Sequence, residues 1–210
     1  MRGKLILVRH HESEWNKLGK WTGKTDVLLT EYGKEKSREM GQVLKGIKVD
    51  YAFSSMLTRA IETMSFMLLE MEISEVKKEY SDSLNERDYG IYTGKNKWEM
   101  KELVGDMEWN NIRRGWDHKI PEGETLKMVY ERTIPYFLEK IFPKLDDNKN
   151  VLIVAHGNSL RSIFKYIENI SDEEIGNLEF PFGQILIYDL DDNAHIVKKE
   201  IYQIKSEVNA

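Results

Sequence analysis

The sequence predicts an α/β fold on a mostly parallel central sheet, and three observations carry that prediction. The first is a pair of short aliphatic runs, Leu5-Ile6-Leu7-Val8 and Val151-Leu152-Ile153-Val154-Ala155. Runs that are apolar at every position suit a strand covered on both faces. The second is the spacing between them, where segments of strand and helix character alternate at lengths suited to βαβ units. The third is a late pair of extended segments, 185–188 and 196–197, joined by the turn-forming Asp191-Asp192-Asn193.

Taken in order, the first run ends in Arg9-His10-His11-Glu12-Ser13-Glu14-Trp15-Asn16, and a polar loop holding Trp21-Thr22-Gly23 follows. Thr30 is suited to cap a helix over 31–45, closed by Gly46, with Met40, Val43 and Leu44 on its apolar face. A strand at 51–53 leads through Ser54-Ser55 into a helix over 57–71, and 76–83 is expected to be extended again. Residues 84–123 differ in character. They carry Trp98, Trp109 and Trp116 amid mixed charge with only short helical patterns, and they read as a lid-like insertion over the sheet edge. A long helix over 124–142 is expected to bend at Pro135, which lacks the N–H for an intrahelical bond. A polar turn at 146–150 precedes the second aliphatic run, and a helix over 159–168 follows it. With no repeat, low-complexity tract or linker-like composition, residues 1–210 are expected to form a single domain.

Hydrophobic and charged fractions of 40% and 32% describe an ordinary soluble globular chain. The 31 Lys and Arg against 36 Asp and Glu leave a formal charge of −5. No overall basic field therefore points to nucleic acid or to an anionic membrane, and any anion site must be a local concentration of cations. The absence of cysteine excludes a disulfide framework, a thiolate metal site and a Cys nucleophile. No apolar run approaches the roughly 18 residues of a membrane span, and no signal-peptide pattern is present. A cytoplasmic location is expected.

Both aliphatic runs terminate in histidine. In a parallel sheet their carboxyl ends share one edge, where open α/β sheets bind ligands, so His10 and His156 are expected to face one another. Arg9 offers a planar fork for phosphate oxygens, and a neutral imidazole can serve as nucleophile or base. Arg59 falls near the start of the helix after the 51–53 strand, where the helix terminus already favours anions. Asn85-Glu86-Arg87-Asp88-Tyr89-Gly90 is a dense polar cluster without helical or strand period. A carboxylate beside a phosphate must either be repelled from it or be protonated part of the time, and the second case is what a general acid/base requires. Lys97 and Arg113-Arg114 are the remaining candidate anion contacts. Taken singly, each of these residues also suits a solvated strand end, turn or helix surface.

Leu7-Val8-Arg9-His10 with Glu12-Ser13-Glu14-Trp15-Asn16 resembles the signature of the histidine phosphatase superfamily. Within it the chain resembles the cofactor-dependent phosphoglycerate mutases over nearly its whole length. The resemblance takes in Thr22-Gly23, Ser55 with Arg59-Ala60 and Thr63, and Leu84-Asn85-Glu86-Arg87 with Tyr89-Gly90. It continues through Asn96-Lys97, Trp109 with Arg113-Arg114, and Ala155-His156-Gly157-Asn158-Ser159-Leu160-Arg161. The resemblance implies a three-layer fold with helices on both faces of the sheet. It implies that His10 carries a phosphoryl group, held by Arg9, Asn16, Arg59 and His156, with Glu86 as general acid/base. Ser13, Thr22, Gly23, Arg87, Tyr89, Lys97, Arg113, Arg114, Gly157 and Asn158 are implied to bind the glycerate carboxylate and the distal phosphate. The implied primer is 2,3-bisphosphoglycerate, the substrates are 2- and 3-phosphoglycerate of glycolysis and gluconeogenesis, and no metal is required. The alternatives are a histidine phosphatase that hydrolyses small phosphomonoesters, or a catalytically impaired relative that binds phosphorylated metabolites.

The chain departs from that pattern in two places. Family members carry glycine directly after the nucleophilic histidine, where this chain has His11. A position that needs φ > 0 would be strained there by ~1–3 kcal/mol, and the second imidazole could contact the phosphate, obstruct the substrate or point away. The segment between Gly115 and Leu126 is short, as in the compact variety, which leaves monomer and homo-oligomer both open.

Overall fold

The two aliphatic runs lie side by side, paired in parallel at the centre of a six-stranded sheet. The structure is a computed structural model that describes residues 2–205. Its strands are β1 (Leu5–Arg9), β2 (Tyr51–Ser54), β3 (Lys77–Tyr80), β4 (Val151–Ala155), β5 (Gln184–Leu190) and β6 (Ile196–Gln203). They are ordered β3-β2-β4-β1-β5-β6. The first four run parallel, while β5 lies antiparallel to β1 and β6 antiparallel to β5. The α-helices are α1 (Glu14–Lys17), α2 (Glu31–Val43), α3 (Thr58–Glu70), α4 (Lys97–Arg114), α5 (Leu126–Tyr136), α6 (Phe142–Asp146) and α7 (Gly157–Ile167).

Successive side chains of a strand point to opposite faces, and each face has its own cover. Leu5, Leu7, Ile153 and Leu186 pack with Ile134 of α5 and Leu160 and Ile163 of α7. Ile6, Val8, Val154 and Ile187 pack with Met40 of α2 and Met64 and Met67 of α3. This three-layer sandwich explains why both central strands are aliphatic at every position. Among the described residues, no helix is long and apolar enough to cross a membrane.

Several elements differ from the sequence reading, each for a local reason. Thr30 caps α2 as expected, its hydroxyl accepting the Gly33 N–H at 3.0 Å. Val43, however, is 36% exposed. The buried stripe runs instead through Ser37, Met40, Gly41 and Leu44, because α2 meets α3 almost backbone to backbone at Gly41. A Cβ there would stand 2.6 Å from the Met67 carbonyl oxygen. The segment 84–123 contains α4, two short helical halves joined at a kink, in keeping with the short helical patterns of its sequence. Gly105 interrupts it at φ 81°, ψ 166°, which breaks the apolar period into two halves too short to register. Trp109 packs with Trp21 and Ile112, whereas Trp116 joins a different cluster beside Leu126, so the three tryptophans form no single cover.

The long helix begins later, behind a Thr125 cap, and widens into a π-helical turn over Phe137–Ile141 before α6. Pro135 removes one donor from the ladder just ahead of that turn. Helix α7 starts at Gly157, two residues early, so that His156 is its N-cap residue. Strand β6 runs on to Gln203, because its charged edge positions Lys198, Lys199 and Glu200 hide a strand pattern.

Candidate active site

The site forms where β1 and β4 end together. The His10 N–H donates to the Ala155 carbonyl at 3.0 Å, which carries the ladder one residue past the strand and brings His10 beside His156. Their ring centroids lie 4.8 Å apart. Nδ1 of His10 is 2.7 Å from the carbonyl oxygen of His11. A carbonyl can only accept, so Nδ1 carries the ring proton and Nε2 keeps its lone pair. Burial, and then the charges of Arg59 and Arg9, hold the His10 pKa well below the ordinary imidazole range. The ring is therefore neutral at pH 7.

His156 is held from the other side. Its Nε2 lies 2.7 Å from the Ser55 hydroxyl, which already accepts the Leu57 N–H at 3.2 Å. A hydroxyl both donates and accepts, so either tautomer of His156 satisfies this contact; the one in which Ser55 donates to Nε2 puts the ring proton on Nδ1. That nitrogen is buried without a protein partner. Burial first, then Arg59 and His10, depress the His156 pKa in the same direction.

In front of His10 opens a cleft of about 700 Å³ of empty space, its mouth included. Seven cationic side chains border it, from Arg9, Lys20, Arg59, Lys97, Arg113, Arg114 and Arg161, against the carboxylates of Glu86 and Glu179. In a chain of net charge −5, this is the local concentration an anion site requires. Arg9 donates to the Phe180 carbonyl at 2.7 Å, and Arg59 to those of Thr25 and Gly23 at 2.9 Å each. The Nε groups of Arg9, Arg59 and Arg161 are buried with no protein partner. Burial lowers the pKa of each of these arginines to about 10, which leaves them charged. Lys97 is brought down to about 8, by burial first and then by Arg9 and Arg113.

Glu86 is anchored through one oxygen. Oε1 accepts from Arg87 N at 2.8 Å, from Asn158 Nδ2 at 2.9 Å and from Asn158 N at 3.2 Å. The last is a first-turn N–H of α7, a group with no partner inside its own helix. Asn158 is itself fixed, donating to the Tyr89 hydroxyl at 3.1 Å and accepting from Arg161 at 3.1 Å. Gly157 sits between the second Glu86 oxygen and the Arg9 guanidinium: a Cβ there would lie 3.7 Å from Oε2 and 3.5 Å from Cζ.

Of the residues singled out from sequence, Arg9, His10, Asn16, Thr22, Gly23, Arg59, Glu86, Tyr89, Lys97, Arg113, Arg114, Gly157 and Asn158 border the cleft. Ser13, Arg87 and His156 stand behind it. The Ser13 hydroxyl donates to Asn16 Oδ1 at 2.7 Å. Arg87 is buried, donating to the Ile112 carbonyl with its guanidinium 4.8 Å from the Tyr89 ring centroid. His11 takes the third course open to it and points away. Its backbone is not among the positive-φ positions, so no left-handed strain arises. Its Nδ1 accepts the Glu12 N–H at 2.8 Å, and its ring lies between Tyr32 and Phe182. Burial, then Arg9 and Lys36, push its pKa down to about 4, so it adds no cation.

Residues 5–200 match the family described as Histidine phosphatase superfamily (branch 1). The chain belongs to this superfamily. Relatives within it include a protein of Lactiplantibacillus plantarum named 2,3-bisphosphoglycerate-dependent phosphoglycerate mutase 2. It is 40% identical over 94% of this chain and 97% of its own. A 2,3-bisphosphoglycerate-dependent phosphoglycerate mutase of Parvibaculum lavamentivorans is 42% identical over 94% of this chain and 95% of its own. Among solved structures, Bacillus stearothermophilus YhfR superposes with a TM-score of 0.79 at 21% identity, covering 92% of this chain and 94% of that one. A phosphoserine phosphatase of Entamoeba histolytica, in complex with 3-phosphoglyceric acid, superposes at 0.78 and 23% identity, covering 97% and 98%. At such identities the structures speak for the superfamily fold alone.

Five residues bordering this superfamily cleft were not singled out from sequence: Lys20, Trp21, Arg161, Glu179 and Phe180. Arg161 had a signal, because four residues after Gly157 it returns to the same side of α7. Trp21 adjoins Thr22 and was equally open to inference. Glu179 and Phe180 carry none: they arrive on the irregular segment before β5, and Phe180 holds Arg9 through a backbone carbonyl.

Proposed function

We propose that the protein is a 2,3-bisphosphoglycerate-dependent phosphoglycerate mutase of the cytoplasm, interconverting 2- and 3-phosphoglycerate through a phosphohistidine on His10. The observation that carries this reading is the His10 Nε2 lone pair at the head of a cleft bordered by seven cations. The named relatives at 40% and 42% identity support the mutase over a phosphatase. Partnerless buried nitrogens on Arg9, Arg59 and His156 fit a polyanionic primer. When bound, 2,3-bisphosphoglycerate supplies the phosphoryl group that loads His10.

From the loaded state, Glu86 as carboxylate takes the proton of the free hydroxyl of a monophosphoglycerate. That oxygen bonds to phosphorus, the P–Nε2 bond breaks, and its electron pair returns to the His10 ring. In reverse, His10 Nε2 attacks phosphorus and protonated Glu86 gives its proton to the departing alkoxide. Arg9, Arg59 and the Nδ1–H of His156 balance the charge on the equatorial oxygens, the main work left to a protein in phosphoryl transfer. Asn16 hydrogen-bonds the same group. Thr22, Gly23, Tyr89, Lys97, Arg113, Arg114, Gly157 and Asn158 hold the carboxylate and the second phosphate, with Ser13 fixing Asn16 and Arg87 fixing Tyr89 from behind. The chain acts as one mutase-like domain, with residues 84–123 limiting the access of water to the phosphohistidine.

An enolase-coupled assay on 3-phosphoglycerate, with and without added 2,3-bisphosphoglycerate, tests this. Isomerisation stimulated by the primer is expected. Release of inorganic phosphate without isomerisation overturns it.

A further inference from the structure

We infer that Phe182, backed by His11, is a positioning residue that sets the plane of the Arg9 guanidinium and the tilt of the His10 ring for phosphoryl transfer. The inference rests on the phosphotransfer reading above and concerns two residues that do not border the cleft. Phe182 is 1% exposed and reads at first as ordinary core. Its neighbours argue otherwise. The Arg9 guanidinium carbon lies 3.8 Å from the centroid of the Phe182 ring. The ring also meets His10 edge-on, with centroids 5.8 Å apart at 63°.

Arg9 needs such a surface. Its Nη1 donates to the Phe180 carbonyl, while its Nε has no protein partner. That one hydrogen bond leaves the guanidinium plane free to swing about the bond. Gly157 flanks the guanidinium but brings no side chain to it: a Cβ there would stand 3.5 Å from Cζ. The Phe182 face supplies the remaining restraint, through the ring quadrupole and flat contact that guanidinium groups favour.

His11 supplies the backing. Its ring lies 6.0 Å from Phe182 and 5.6 Å from Tyr32, and the Glu12 N–H bonded to Nδ1 locks its orientation. Arg9, Phe182, His11 and Tyr32 thus form one column running from the cleft to α2. Being neutral, His11 adds bulk behind Phe182 without setting a second charge against Arg9. A glycine in its place would leave space into which the ring could retreat. The departure at His11 is, on this reading, a support for the nucleophile.

The test compares Phe182→Leu with Phe137→Leu, a fully buried ring packed against α6 and α7. The protein is loaded with 2,3-bisphosphoglycerate, and the half-life of its acid-labile phosphohistidine is followed alongside kcat and KM. For Phe182→Leu we expect kcat to fall about tenfold and the phosphohistidine half-life to change several-fold, with KM nearly constant. Phe137→Leu, even with a similar loss of thermal stability, is expected to leave both near their starting values. Equal effects in the two variants, or a change confined to KM, overturn the inference. Should Phe182→Leu fail to fold, His11→Gly decides: a half-life and kcat shifted about threefold support it, and unchanged values overturn it. If the unmodified protein forms no phosphohistidine, the mutase reading fails first, and this inference falls with it.

Discussion

The ends of β1 and β4 are the two most similar places in the molecule, and they are set up for different work. Both are parallel neighbours, both finish in a buried histidine, and both rings are kept neutral by burial and by Arg59. They differ in what holds the ring. His10 gives its Nδ1 proton to a backbone carbonyl, which can only accept, so Nε2 stays bare. His156 meets a serine hydroxyl through Nε2, a group that can donate as well as accept, so its Nδ1 is free to carry the ring proton. One ring therefore presents a lone pair, and the other is able to present a donor. Two identical side chains at equivalent strand ends take their chemistry from the atom behind them.

The difference can be broken most decisively at His10. His10→Gln is expected to lower turnover by at least ~10⁴-fold and to abolish acid-labile phosphate on the protein, because among the described residues His10 is the histidine that borders the cleft. His156→Gln should cost about 10²–10³-fold, the range for losing one preorganised donor, while still accepting label on His10 slowly. Equal loss in both variants would erase the distinction. Ser55→Ala probes it more finely. With one neutral hydrogen bond gone, kcat should fall about tenfold at nearly constant KM. An unchanged kcat would mean that Ser55 does not set the His156 proton.

The pH profile gives the mildest test. His10 is already neutral above its depressed pKa, so the acid limb of kcat/KM should fall below pH 6.5. Lys97, protonated below about 8 and neutral above it, should lose its hold on anions as pH rises through that value. KM is then expected to climb several-fold between about pH 7 and 9 while kcat changes less, and Lys97→Gln should flatten that climb. An alkaline limb that survives Lys97→Gln belongs to another group.

How much of this was legible depends on the kind of signal. The paired histidines could be read because a buried strand announces itself by composition, and the residue after it must lie at the sheet edge. Helix α4 reads in the sequence only as short helical patterns, since Gly105 divides its apolar period and much of its surface faces solvent. Val43 was misplaced on α2 because the contact with α3 is centred on Gly41, whose lack of a side chain carries no hydrophobic signal. Glu179 and Phe180 escaped notice because an irregular segment has no period from which to read a facing.

The contrast is sharpest in the stretch after β1. Residue type alone determined that an arginine and a histidine would stand at a sheet edge opposite a second histidine. It could not say which imidazole nitrogen would be free, nor that His11 would turn under Phe182 and away from the cleft. Those outcomes depend on a carbonyl one residue on, a hydroxyl from β2's end and a ring from the segment before β5. Hydrogen bonding and stacking are decided by atoms within a few ångströms, and only the folded chain brings those atoms together.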